Sequence, residues 1–156
     1  MTQVHSQSPF DFTAIAGTTS VATSTAEYHA CYWSAANTVA LINTTTNYSK
    51  FAGIIQSGGY ASANSGSVRL RAFGNSKAVF SGANTVTAAG DYVSFDVATT
   101  TAHGRLRVQA RTVADATAGV AFIVGQSLEV SGATATVGEI FINPQFSSAI
   151  TTTVAS

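Results

Sequence analysis

The chain has 156 residues, of which only 9% are charged, with seven basic and seven acidic side chains. About a quarter of the residues in a typical globular protein are charged, so most of the polarity of this chain comes from Ser, Thr, Asn, Gln and Gly. Its length predicts one domain, and its near-zero net charge favours association between copies. The single Cys31 excludes a disulfide framework within the chain. No apolar run is long enough for a membrane-spanning helix, and the first residues contain no signal segment, so we expect synthesis in the cytoplasm.

Short strands dominate the predicted secondary structure. Residues 1–24 have no convincing hydrophobic period and are predicted to form an N-terminal arm that is extended or ordered by a partner. Beyond the arm, alternating apolar and polar residues and short apolar runs, separated by turn residues such as Gly90-Asp91, predict strands. These cover residues 26–33, 38–42, 51–56, 67–73, 78–80, 92–97, 104–110, 119–124 and 138–142. The only predicted helical structure is a single turn around residues 113–118.

Many short strands, spaced by turn signals roughly every 8–12 residues, are typical of sandwiches and barrels. The sequence therefore predicts an all-β fold: a compact antiparallel β-barrel or β-tulip-like sandwich over residues 25–146, with the extended arm before it and a tail over residues 147–156. At Gly90-Asp91 we expect a tight turn with positive φ, in which the Asp91 side chain accepts hydrogen bonds from backbone amides. In the last strand Glu139 is predicted to face outward if Ile140 and Ile142 enter the core.

The residues that could carry chemistry are scattered. His29 and Cys31 lie two apart on one predicted strand face, but nothing nearby supplies further metal ligands, so we interpret them as a half-buried imidazole and a small buried thiol. Asp91 and Asp96 are five residues apart and fall on opposite faces of one strand, which argues against a shared acid–base site. The chain has no nucleophile elbow and no phosphate-binding loop. We therefore expect no enzymatic activity, no metal and no cofactor.

Charge is distributed unevenly along the chain. Basic side chains concentrate between residues 67 and 111, whereas acidic side chains predominate after residue 112. A nucleic-acid face formed by Arg69, Arg71, Arg105 and Arg107 with Phe73 is one interpretation. The pI of about 6.8 favours ion pairs between proteins instead. In a head-to-tail ring, the basic face of one subunit would meet the acidic face of the next. The predicted inter-subunit residues are Arg69, Arg71, Arg105, Arg107, Glu129 and Glu139.

Residues 51–143 resemble the capsid decoration (cement) proteins of tailed phages, which are compact β-barrel or β-tulip subunits. The resemblance rests on the order of several turn motifs, and it does not extend to the Ser/Thr-rich N-terminal third or to the tail after Phe146. The motifs are GIIQ at 53–56, SVRL at 67–70 leading into Gly74, VTAAGDYV at 86–93, GRL at 104–106, AGVA at 118–121 and ATVGEIFI at 135–142.

This resemblance implies a homotrimeric structural virion protein that binds the major capsid protein on the outside of an assembled shell and stabilises it, with neither nucleic acid nor membrane as a partner. For shell contact we expect the arm, through Phe10, Asp11 and Phe12, because aromatic anchors contribute disproportionately to binding. Two alternatives stay open. One is another virion part, such as a tail-tube or fibre-associated subunit, and the other is a carbohydrate-binding β-sandwich with Trp33, Tyr28 and Tyr32 as its stacking platform.

Overall fold

A computed structural model describes residues 11–17, 26–58, 66–81, 88–97, 103–108, 121–130 and 136–147. Most residues of the described segments are in strands, with a 3-10 helix at Thr45–Lys50, and these segments contain no helix with the length and hydropathy needed to cross a bilayer. The strands are β1 (Asp11–Ala16), β2 (Ala30–Ala35), β3 (Thr38–Leu41), β4 (Phe51–Gly58), β5 (Ser67–Arg71), β6 (Gly74–Val79), β7 (Tyr92–Asp96), β8 (Arg105–Val108), β9 (Ala121–Ser127) and β10 (Val137–Ser147). The predicted all-β class is confirmed.

The first half of the chain forms a closed five-stranded barrel in the order β1-β3-β2-β4-β5. Strand β1 closes it, because it pairs antiparallel with β5 from Asp11 opposite Arg71 to Ile15 opposite Ser67. On its other side β1 pairs parallel with β3, where Ile15 lies opposite Thr38, in contrast to the antiparallel pairing expected. Closure leaves no free strand edge in a sheet that carries few charges to protect one.

The second half forms an antiparallel sheet in the order β6-β10-β9-β7-β8. Its longest strand, β10, pairs with β6 along one edge and with β9 along the other, where the register shifts between Ile142 and Gln145. A parallel bridge between Phe80, just after β6, and Leu106 on β8 links the two ends of this sheet. The second sheet therefore curls toward closure without completing a barrel.

Backbone hydrogen bonds join the barrel to the second sheet. The Ala30 amide donates to the Gly104 carbonyl at 2.6 Å, and the Gly104 amide donates to the Ile42 carbonyl at 2.7 Å. Gly104 has a φ of 72°, and a Cβ there would lie 2.9 Å from the Ala30 carbonyl oxygen, so only glycine fits. The Val79 amide donates to the Tyr28 carbonyl on the other side of the same junction. The two sheets are thus parts of one hydrogen-bonded unit.

Two apolar clusters fill the interior of the part of the chain that the structure describes, and β4 contributes to both. Ile55 points into the barrel, where small residues such as Ala14 and Cys31 leave room for Leu70. Ile54 points the other way, into a larger cluster against the second sheet. There Phe95 stacks on Phe122 with ring centroids 5.3 Å apart. Each of the large buried side chains, Ile54, Ile55, Leu70, Phe95 and Phe122, contributes about 1.5–3 kcal/mol through the hydrophobic effect.

The structure corrects the predicted start of the domain. Residues 11–16 were assigned to the arm, yet they form β1 of the barrel. The sequence signal was weak because the buried residues of β1, Ala14 and Ala16, are small and poor strand formers. The strand predicted at 26–33 begins only at Ala30, after a turn in which Tyr28 has a φ of 63°. Residues 1–10, including Phe10, the turn at 113–118 and the tail after residue 147 lie outside the described residues.

Candidate binding surfaces

Asp11 and Arg71, predicted to serve two different interfaces, bind each other within the chain. Arg71 Nε donates to Asp11 Oδ1 at 2.7 Å and Arg71 Nη2 donates to Asp11 Oδ2 at 3.0 Å. This hydrogen-bonded pair lowers the pKa of Asp11 and raises that of Arg71. The Nε atom of Arg69 is 3.9 Å from Asp11 Oδ2, and its side chain is 48% exposed. Arg69 is therefore the basic residue of β5 that is more open to a partner.

The aromatic residues proposed as anchors or as a sugar platform pack against the chain itself. Phe12 stacks on Trp33 with ring centroids 5.5 Å apart, and both rings pack against the barrel cluster. Tyr32 packs against the other cluster, from the opposite face of β2. Tyr28 lies beneath the ammonium group of Lys77, which is 5.9 Å from its ring centroid. The structure does not bring Trp33, Tyr28 and Tyr32 together into one platform.

Arg105 and Arg107 lie on β8 and alternate with the fully buried Leu106, as their spacing predicted. In register, Arg105 is opposite Asp96 and Arg107 is opposite Ser94 on β7. Both arginine side chains are partly buried, and their Nε atoms have no hydrogen-bond partner. They are consequently less accessible than Arg69 to an acidic side chain of another subunit.

Three of the four exposed large apolar side chains among the described residues lie at the end of the β9–β10 pair, and the fourth, Ile15, is on β1. Leu128, Val130 and Val137 are 42%, 64% and 50% exposed, and we call these three residues the apolar end. Two of the predicted inter-subunit residues lie beside it: Glu129 accepts a hydrogen bond from the Glu139 amide at 2.8 Å, and Glu139 faces outward as predicted. Sequence reasoning missed the apolar end, although an apolar-acidic-apolar triplet next to a turn was a visible signal.

The outer face of the second sheet has a shallow cleft at the irregular stretch of β10. Its lining contains two aromatic rings, three amides, an isoleucine and a glycine, and we call it the bulge cleft. The cleft encloses about 60 Å³, roughly the space of two water molecules, which is too small for a cofactor or a drug-sized molecule. Its lining residues are Tyr92, Ile123, Gly125, Gln126, Phe141, Asn143 and Gln145.

The shape of the bulge cleft follows from two residues. Pro144 lacks an N–H group, and the ladder between β10 and β6 ends before it, at Ile142 opposite Gly74. Gly125 lets β10 approach closely, since a Cβ at this position would collide with the Phe141 carbonyl oxygen. The bulge in β10 is therefore built into the sequence of both strands.

The remaining polar candidates have structural roles. Cys31 is fully buried in the barrel, which raises the pKa of its thiol, and His29 donates from Nδ1 to the Glu27 carbonyl at 3.0 Å. Asp91 accepts a hydrogen bond from the Ala88 amide at 3.0 Å, after Gly90 with a φ of 94°, so the predicted turn is confirmed. Within the described segments no three His, Cys, Asp or Glu side chains are grouped as a metal site would require.

Comparison with known proteins found no match: no protein family, no curated protein and no solved structure is significantly similar to this chain. The surface features are consequently the basis on which a role is assigned.

Proposed function

We propose that this chain is a structural subunit that binds the outside of an assembled capsid of the tailed-phage type and stabilises it. The observation that carries the proposal is the apolar end, formed by Leu128, Val130 and Val137. Exposed apolar patches rimmed by polar groups mark protein–protein contacts. The resemblance of residues 51–143 to decoration proteins supports a capsid as the partner.

The chemistry of the rest of the surface supports the same role. Protein interfaces are depleted in charge at their centres, and this chain has only 9% charged residues. Its Asp11–Arg71 pair is already satisfied internally. A subunit that binds the assembled shell and not the free capsid protein stabilises the shell by mass action.

The proposal includes shell contact by the N-terminal arm and contact between the subunits of a trimer, each through fewer residues than the sequence suggested. Asp11 and Phe12 are held by the barrel, so we assign shell contact by the arm to Phe10 and the residues before it. For contact between subunits we assign Glu129 and Glu139 of one copy to Arg69 of the next, since Arg71 is engaged by its own chain. Such exposed pairs contribute only about 0–1 kcal/mol each, so they select the orientation more than they hold the trimer.

The test is co-sedimentation of the purified chain with shells assembled from the major capsid protein of the same genome. Wild-type chain should sediment with the shells, and Val130→Glu should weaken binding at least about tenfold, because a charge would be buried in an apolar contact. The matched control is Thr46→Glu, which adds the same charge on the exposed side of the 3-10 helix and should leave binding unchanged. Wild-type chain that ignores the shells, or Val130→Glu that binds as tightly as wild type, would refute the proposal.

A further inference from the structure

The bulge cleft combines groups that match a neutral sugar. Gln126 lies on β9 directly opposite Tyr92 on β7 and Phe141 on β10, so the two rings flank an exposed amide. Asn143 and Gln145, both exposed, add two more amides on the bulged stretch of β10. A side-chain amide donates hydrogen bonds from its nitrogen and accepts them at its oxygen. It can therefore bind a sugar hydroxyl, which is both a donor and an acceptor.

Charge in and around the cleft argues against an ionic ligand. None of the lining residues is charged. The nearest acidic residue in sequence, Asp91, directs a carboxylate oxygen to the Ala88 amide at 3.0 Å. A phosphate, a carboxylate or a basic peptide would therefore lose its hydration without gaining an opposite charge. A neutral polyhydroxyl ligand loses less hydration free energy, and its hydroxyl groups can form hydrogen bonds with the amides.

The cleft is preformed rather than adaptable. Phe73 packs edge-on against Phe141, with ring centroids 5.5 Å apart and an interplanar angle of 73°. The Gln126 amide nitrogen donates to the Gly90 carbonyl at 3.4 Å, which orients its oxygen-bearing end. Gly125 fixes the distance between β9 and β10 beneath it. Preorganisation of this kind reduces the entropy lost when a ligand binds.

From these observations we propose that one neutral pyranose unit of a glycan lies across the mouth of the bulge cleft, which is too small to enclose it, with Tyr92 and Phe141 contacting the ring and Gln126, Asn143 and Gln145 bonding its hydroxyls. This site is independent of the apolar end and of the shell contact. One ring contact and a few hydrogen bonds at an exposed site predict a millimolar Kd for a single unit. Several copies on one particle would strengthen binding to a multivalent glycan.

The experiment is an NMR titration of the isotope-labelled chain with methyl glycosides of glucose, galactose, mannose and N-acetylglucosamine, each to about 50 mM. We expect at least one of these sugars to shift the side-chain amide signals of Gln126, Asn143 and Gln145 with a Kd of about 1–20 mM. Gln126→Ala should weaken that binding at least about fivefold. The control Asn75→Ala removes an exposed amide on β6, outside the cleft lining, and should bind as wild type does.

Three results would overturn the proposal. In the first, none of the four glycosides shifts the cleft amides at 50 mM. In the second, Asn75→Ala weakens binding as much as Gln126→Ala does. In the third, a neutral proline-rich peptide shifts the cleft amides while the sugars do not, which would make the cleft a peptide site. Shell binding is measured separately through Val130→Glu, so failure here leaves the proposed function standing.

Discussion

Asp11 and Arg71 illustrate how a charged residue is used in a chain that has few of them. The Asp11 side chain is only 7% exposed, and Arg71 meets both of its oxygens. A buried carboxylate that loses its partner keeps the cost of its own desolvation. The pair thus fixes the register of β1 on β5, and β1 is the strand that closes the barrel.

We expect Arg71→Met to destabilise the chain by about 2 kcal/mol, because Asp11 would remain buried without its hydrogen-bond donor. Arg69→Met, on the same face of β5, should cost less than about 0.5 kcal/mol, since its contact with Asp11 is long and exposed. Urea unfolding followed by the fluorescence of Trp33, the only tryptophan, measures both. Equal losses in the two variants would contradict the assigned role of Arg71.

The same pair predicts a dependence on pH. Arg71 holds the folded-state pKa of Asp11 below its usual value of 3.8. A carboxyl whose pKa is lowered by folding stabilises the folded state above its unfolded pKa, and that stabilisation is lost as pH falls through the folded pKa. Wild-type chain should therefore lose stability below about pH 4, and Asp11→Asn should lose less over the same interval. Parallel unfolding curves for the two proteins between pH 4 and pH 2 would contradict this.

Cys31 offers a residue-scale test of the barrel interior. Its thiol is fully buried, and burial raises its pKa, so the reactive thiolate is suppressed. We expect native chain at pH 8 to resist an aromatic disulfide reagent for hours and to react within minutes in denaturing urea. The control is Ser34→Cys in a Cys31→Ser background, which places a thiol at an exposed position of β2 and should react at once. Rapid labelling of native wild-type chain would show that the barrel opens.

At the scale of elements, β9 and β10 depend on a close approach that only glycine permits. Gly125→Ala should destabilise the chain by about 2 kcal/mol or more, because its Cβ would collide with the Phe141 carbonyl and the strand backbone must shift. Gln126→Ala, one residue along and exposed, should change stability by less than about 0.5 kcal/mol. Thermal unfolding by circular dichroism compares the two. A neutral Gly125→Ala substitution would mean that β10 is not bulged over β9 as described.

The elements differ in how far sequence could predict them. Strands β3, β4, β5 and β7 fall within about two residues of their predicted limits, because β-branched and aromatic residues alternate there between clear turn residues. Strand β1 was missed because its inward residues are alanines and its partners lie far along the chain. The 3-10 helix at Thr45–Lys50 was missed as well, since a run of Thr, Asn, Tyr and Ser carries no helical period. Local patterns predict strands well, but a pairing between β1 and β5 is not a local property.

The features of the candidate sites also divide into those set by a local pattern and those set by the pairing of strands. The outward direction of Glu139 and Arg69 follows from the alternation within each of their strands, and it could be predicted. The bulge cleft combines residues of β7, β9 and β10, and its existence depends on strand order, which composition and periodicity do not determine. The mutual binding of Asp11 and Arg71 was hidden for the same reason, because they are 60 residues apart.

At the scale of the whole molecule, we expect the junction between the barrel and the second sheet to be sensitive to acid. His29 lies there, 8% exposed, and its neighbours are polar or basic: Nδ1 donates to the Glu27 carbonyl, the Gly104 backbone is next to its Cβ, and Arg105 repels a positive charge on it. Burial and this repulsion lower the pKa of His29 below 6.5. The backbone carbonyl of His29 also accepts the Ile55 amide of β4 at 3.0 Å within the barrel, and the next residue, Ala30, donates its amide to Gly104 across the junction. Protonation of His29 therefore acts directly beside a bond that joins the two halves.

The sign of the resulting effect follows from linkage. Because folding lowers the pKa of His29, the unfolded chain binds a proton more readily, and the stability present above about pH 6.5 declines as pH falls toward the folded pKa. We expect the free energy of unfolding of wild-type chain to decrease from pH 7 to pH 5. In His29→Asn this decrease should be largely absent, because the Asn side-chain amide can replace the Nδ1–H donor to Glu27 without titrating. His103→Asn, the matched control, should retain the decrease. A free energy of unfolding that falls as steeply with pH in His29→Asn as in wild type would contradict this assignment and would make His29 a neutral packing residue.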